Sequence, residues 1–108
     1  MNLVPFQEFS RIRMRVGRVT DVEEHPAADK LFILKVDVGD RVIQSVAGLK
    51  PYMSKDALKG KLVAMVTNLE PAMLRGVRSE GMLLAAQEGE RVVLLVPESD
   101  LSPGAEIR

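Results

Sequence analysis

The chain has no cysteine, no tryptophan, one histidine and only four aromatic residues, Phe6, Phe9, Phe32 and Tyr52. Without cysteine there are no disulfides, no thiolate catalysis and no cysteine-ligated zinc. His25 alone cannot assemble a histidine metal cluster, so neither a metal nor another cofactor is expected. With so few rings the core must be aliphatic, built from Val, Leu, Ile and Met. No apolar run approaches membrane-spanning length, and the N-terminus lacks the basic-then-apolar layout of a signal peptide. The expectation is a protein without membrane attachment, cytoplasmic in location. At 108 residues it suits one domain with a modest core.

Charge of one sign is also missing, because 15 basic residues balance 15 acidic ones. Their distribution is uneven. Residues 1–18 hold four arginines against one glutamate, and 50–78 hold six basic groups against two acidic ones. The segments 19–49 and 79–108 carry the opposite excess. A neutral chain with alternating blocks can still turn a basic face to a polyanion.

Read in order, residues 2–9 suit one short helical turn, with Pro5 near its start and Phe6 and Phe9 three apart on one face to plug an end of the core. From Arg11 the period becomes two. Ile12, Met14 and Val16 alternate with Arg11, Arg13 and Arg15, which predicts a strand with an aliphatic inner face and a basic outer one. Gly17 interrupts that phase and predicts a bulge or barrel bend. Glu23–Lys30 reads as a loop. In it His25, beside Pro26, reads as a structural hydrogen-bonder rather than a proton switch.

Strands follow at Leu31–Val38 and Arg41–Ala47, joined by the hairpin signal Gly39-Asp40. Ser54–Lys59 has the marks of a short helix, with Ser54 as N-cap and Gly60 just past the end. Lys61–Thr67 and Met82–Ala86 predict a fourth and a fifth strand. Five strands with a short helix between the third and fourth define an all-β OB-fold barrel. Ligands of that fold lie across the second and third strands and the loops joining strands one to two and four to five. Here the latter loop is Asn68–Met82, punctuated by Pro71, Gly76 and Gly81 and carrying Arg75, Arg78, Ser79 and Asn68. Long ordered loops of this kind are often binding elements.

Several segments are distinctive: Arg15-Val16-Gly17-Arg18-Val19, His25-Pro26-Ala27-Ala28-Asp29-Lys30-Leu31, Asn68-Leu69-Glu70-Pro71 and Leu74-Arg75-Gly76-Val77-Arg78-Ser79-Glu80-Gly81-Met82-Leu83. Together they resemble the tRNA-binding domain family over roughly Phe9 to Arg108. That family includes stand-alone tRNA-binding proteins and appendages of methionyl-tRNA synthetase. The resemblance implies an OB-fold that grips the outer corner of folded tRNA, non-catalytically and without reading the anticodon. Site residues carried over are Asn68, Arg78, Ser79 and Met82, with Arg75 and Lys30 as basic support. The arginines would pair phosphates, while Ser79 and Asn68 would hydrogen-bond phosphate, ribose or base edges. Met82 would offer a soft apolar contact, although methionine at a strand start is usually core, and Lys30 has the alternative of an ordinary solvated lysine. Scarce aromatics fit recognition of a folded RNA better than stacking of single strands.

The alternative is a protein-binding module, since the CsaA-type chaperones belong to the same family. An enzyme is disfavoured: neither His25 with Asp29 nor Ser79 with Glu80 makes a catalytic set. Past a barrel core at about residues 9–86 comes Arg91–Val96, an unbroken apolar run whose two faces both want burial. The segment 87–108 therefore reads as a dimerisation extension, with Val92, Leu94, Val96 and Leu101 in a homodimer interface.

Overall fold

The computed structural model describes residues 1–108. A four-residue helix, α1 (Phe6–Phe9), precedes the longest strand, β1 (Met14–Glu24). Strands β2 (Phe32–Asp37) and β3 (Val42–Ala47) form an antiparallel hairpin, followed by helix α2 (Lys55–Leu58) and strand β4 (Leu62–Val66). Then come β5 (Ala72–Leu74), β6 (Val77–Ser79), β7 (Met82–Leu83), β8 (Ala85–Glu88), β9 (Arg91–Leu94) and β10 (Glu106–Ile107). The main sheet runs β3-β2-β1-β4-β7, all antiparallel, with β10 added beside the start of β1. It curls into a nearly closed barrel around an aliphatic cluster that includes Leu34, Val36, Leu58, Val63 and Met65, all fully buried, together with the ring of Phe32.

The alternating patterns lead to these strands directly. In β2, Phe32, Leu34 and Val36 point inward and Ile33, Lys35 and Asp37 outward. Ser54 caps α2 by accepting the Ala57 N–H at 3.1 Å, as its position before the helix predicts. In β1 the phase break lies three residues beyond Gly17. Val19 pairs with Val36 and Asp21 with Lys35, so Thr20 is the extra residue of a bulge. That bulge puts both Val19 and Val22 inside despite their odd spacing. Gly17 serves a different end: a Cβ there would stand 2.5 Å from Cγ1 of buried Val36, so the site admits no side chain.

Three other expectations change. Phe6 and Phe9 do not plug the barrel; they are 78% and 47% exposed, because α1 is too short to bury a face and contributes no core residue. The Asn68–Met82 segment is not an irregular loop but contains the β5–β6 hairpin. The fifth strand is split: β7 pairs with β4, while β8 turns away to pair with β9.

The C-terminal tail is woven into the barrel. Ile107 and Glu106 pair with Met14 and Arg15, and Val16 exchanges backbone bonds with Ala105 and Gly104 at 2.8 and 2.7 Å. Within β9, Val92 and Leu94 turn inward and pack on the core cluster. Val96 and Leu101 are each 49% exposed, and Val93 and Leu95 also face outward. The apolar run thus satisfies one face within the monomer and leaves the other open.

Candidate nucleic-acid interface

The β5–β6 hairpin turns at Arg75-Gly76, with φ of 53° and 85°. Two consecutive positive φ values define the type I′ geometry that matches the twist of adjoining strands. Arginine is an unusual occupant of the first position, and it holds the Arg75 side chain at the exposed tip. Met73 pairs across the hairpin with Arg78, whose side chain is also largely exposed.

The hairpin is fastened on both sides. On one side His25, nearly buried, faces the Leu74 carbonyl through Nε2 at 3.0 Å and accepts the Ala27 N–H at Nδ1, also at 3.0 Å. A carbonyl only accepts and an amide N–H only donates, so these partners fix a neutral ring with its proton on Nε2. His25 is the structural hydrogen-bonder that its place beside Pro26 predicts, and it links the β1–β2 loop to the hairpin. Beside it, Glu24 accepts from Lys50 at 2.7 Å. That hydrogen bond, and then the lysine's charge, hold the Glu24 carboxyl below the usual glutamate range.

On the other side the hairpin closes the barrel against β3, largely through side chains. Gln44 donates its side-chain amide to the Arg78 carbonyl at 2.8 Å; its backbone carbonyl accepts the Glu80 N–H at 2.8 Å, and its backbone N–H donates to the Glu80 carboxylate Oε1 at 3.2 Å. The Ser79 hydroxyl accepts the Val46 N–H at 3.0 Å and donates to the Gly81 carbonyl at 3.3 Å. Ser79 thereby supplies the acceptor that a paired strand would have offered, and it is only 9% exposed.

The carried-over residues therefore divide. Arg75 and Arg78 are exposed on the hairpin, and Arg78 Nε reaches Glu80 Oε2 only at 3.4 Å. Met82 is half-exposed and lines a cleft of about 430 Å³ with Ala47, Leu49, Leu69 and Leu74. Lys30 is exposed at the end of the loop that His25 anchors, with no bond to the hairpin. Ser79 is turned inward. Asn68 lies apart from the others: its Oδ1 accepts the Arg13 N–H and its Nδ2 donates to the Arg11 carbonyl, both at 2.7 Å. The structure also brings in Lys35 and Gln44, hydrogen-bonded to each other on neighbouring strands beside Arg78. Their sequence signal was the outward phase of β2 and β3.

Five antiparallel strands, a short helix between the third and fourth, and a basic hairpin fastened over the third define an OB-fold with its ligand-side elements elaborated. More particularly, the chain belongs to the family described as "Putative tRNA binding domain", whose model matches residues 14–106. It is 52% identical over 105 residues to the methionine–tRNA ligase of Thermococcus onnurineus, covering 97% of this chain and 14% of that protein. The chain spans only 14–17% of the curated ligases it matches. Among solved structures, the MetRS-related protein of Pyrococcus horikoshii superposes with a TM-score of 0.93 at 32% identity, covering both chains completely. The CsaA chaperone protein of Picrophilus torridus gives 0.90 at 32% identity, over 98% of this chain and 100% of that one.

Proposed function

We propose that the chain is a non-catalytic module that binds the outer surface of folded tRNA, as a stand-alone protein or as an appendage of a methionyl-tRNA synthetase. The observation that carries this reading is the rigidly fastened hairpin. It presents Arg75 and Arg78 to solvent with only one long contact to a carboxylate. Bonds from His25, Gln44 and Ser79 hold its backbone in place, so little ordering remains to be done when phosphates arrive. Arg75, Arg78, Met82 and Lys30 are the contact residues in this reading, and Asn68 and Ser79 act through the backbone they hold. The cytoplasm is the matching location.

The test is a titration with unfractionated tRNA. Arg78→Glu should weaken binding by about 2 kcal/mol or more with nearly unchanged melting temperature, because an exposed loop arginine contributes little to folding. Unchanged affinity would refute the reading. Wild-type affinity should fall with salt, with a log–log slope of order −2 to −5.

Likeness to a CsaA chaperone and the apolar cleft beside Met82 favour one second reading, a module for unfolded protein segments. Titration with an unfolded client in place of tRNA separates the two. We also propose a homodimer joined through the open outer face of β9 and the residues after it, Val93, Leu95, Val96 and Leu101. Exposed apolar surface of that kind is covered at little cost by a two-fold interface.

A further inference from the structure

We infer that the arginines gathered around the end of β4 form a second phosphate-binding surface, which extends the hairpin's contact along the sugar–phosphate backbone of a folded RNA. The inference rests on the tRNA-binding reading and adds Arg11, Arg13 and Arg41, which the family motifs leave out.

The hub is Thr67-Asn68. Asn68 clamps the Arg13 amide and the Arg11 carbonyl. Thr67 donates its N–H and its hydroxyl to the Arg13 carbonyl, at 2.9 and 3.3 Å. From the turn just before β3, Arg41 donates to the Thr67 carbonyl at 2.9 Å. Three arginines from distant parts of the chain thus converge on two residues.

Their charges are only partly answered. Asp40 takes Arg15 at 2.8 Å and stands 3.9 Å from Arg41, so one carboxylate serves two guanidiniums. Glu106 lies across from Arg15 on β10, with Arg108 close by in sequence. Asp37 is engaged with the Gly39 N–H at 2.8 Å. Arg11 and Arg13 are exposed and form no ion pair. A solvated basic surface would suffice to explain them if their backbone were loose. Instead it is held by four hydrogen bonds through Thr67 and Asn68, so the two charges project from a fixed base.

The surface is tied to the hairpin through β3. Arg41 precedes Gln44 by three residues on the β3 side, about 10 Å along an extended chain, and the Gln44 amide holds the Arg78 carbonyl. Hydrogen-bond ties lead from the Arg78 carbonyl to Gln44 and Lys35, and from Arg41 through Thr67 and Asn68 to the backbone of Arg13 and Arg11. Guanidinium forks suit phosphate oxygens, and a group of them reads backbone rather than base sequence.

The test compares the 108-residue chain carrying Arg11→Gln and Arg13→Gln with the wild type, by titrating unfractionated tRNA at several KCl concentrations. These changes leave every backbone bond in place, so the melting temperature should hold. The expected result is roughly tenfold weaker binding and a salt slope shallower by about one to two, as for two lost phosphate contacts. The corresponding lysine variant should keep the slope, which a merely structural role for the arginines would not produce. If the glutamine variant keeps both affinity and slope while Arg78→Glu weakens binding, the second surface is wrong and the hairpin reading stands. If Arg78→Glu binds normally and the glutamine variant does not, the hairpin reading falls and this surface stands. If neither change matters, both are wrong.

Discussion

Ser79→Ala separates a scaffold role from a ligand role at the position where the two are easiest to confuse. The Ser79 hydroxyl is the acceptor for the Val46 N–H at 3.0 Å, at a site where both residues are buried. Removing it leaves that N–H without a partner. The Gly81 carbonyl loses a 3.3 Å bond but keeps the one from Ser45 at 2.9 Å, so one orphaned donor remains. A buried unsatisfied donor costs about 1–3 kcal/mol. In a domain of about this size each kcal/mol moves the melting point by roughly 4–8 °C, so a fall of roughly 5 to 20 °C is expected. Calorimetry gives that number directly. Binding of tRNA, measured well below the transition, should weaken by no more than about fivefold, because the Gln44–Arg78 tie survives. Ser79→Thr, which keeps the oxygen, should recover most of the lost stability. An unchanged melting point together with a loss of affinity above tenfold would refute the reasoning and make the hydroxyl a direct RNA contact.

Other perturbations test other links. Gly104→Ala places a Cβ 2.9 Å from the Val38 carbonyl at a residue with φ of 100°. Strain and clash at such a site should cost about 2 kcal/mol or more, visible as a melting point lower by roughly 10 °C. The carboxyl of Glu24 should titrate below the ordinary glutamate range by NMR and return to that range in Lys50→Met. A lowered folded-state pKa contributes stability above the unfolded value that is lost as pH falls through the folded one, so the variant should show a shallower loss on the acid side. Val93→Asp, on the outer face of β9, should reduce the mass found by light scattering from dimer to monomer with the fold intact. A monomeric wild type at micromolar concentration would remove the dimer.

The legible parts of the fold were those in which neighbours in sequence are neighbours in space. The β2–β3 pair is visible because alternation and the Gly39-Asp40 turn are both local, and the α2 cap because Ser54 reaches Ala57 within one turn. The β5–β6 hairpin was hidden because Arg75, not Asn or Asp, precedes Gly76 at the first left-handed position, so the usual two-residue hairpin signal is missing. The bulge at Thr20 was displaced from Gly17, since glycine in a strand signals either a bend or a close approach, and only the position of Val36 tells which. The return of β10 to β1 joins the two ends of the chain, and no periodic pattern encodes that. Within β9, the unbroken apolar run concealed an ordinary alternation, with Val92 and Leu94 inward.

The same distinction applies to the residues of the candidate site. The motif residues lie close in sequence, yet they meet two physical demands. Asn68 bridges 55 and 57 positions of sequence to lock Arg13 and Arg11, and Ser79 bridges 33 to complete the β3 edge. Each uses its side chain as a substitute for backbone pairing that the barrel cannot supply at those points. Replacing either would disturb every cation fastened to that backbone, even with no direct contact to RNA. A polar motif residue can therefore be satisfied entirely inside the protein. On the proposed reading the groups left to meet phosphate are those without an internal partner to lose, the guanidiniums of Arg75, Arg13 and Arg11, and that of Arg78, whose one ion pair, to Glu80 at 3.4 Å, a phosphate would displace.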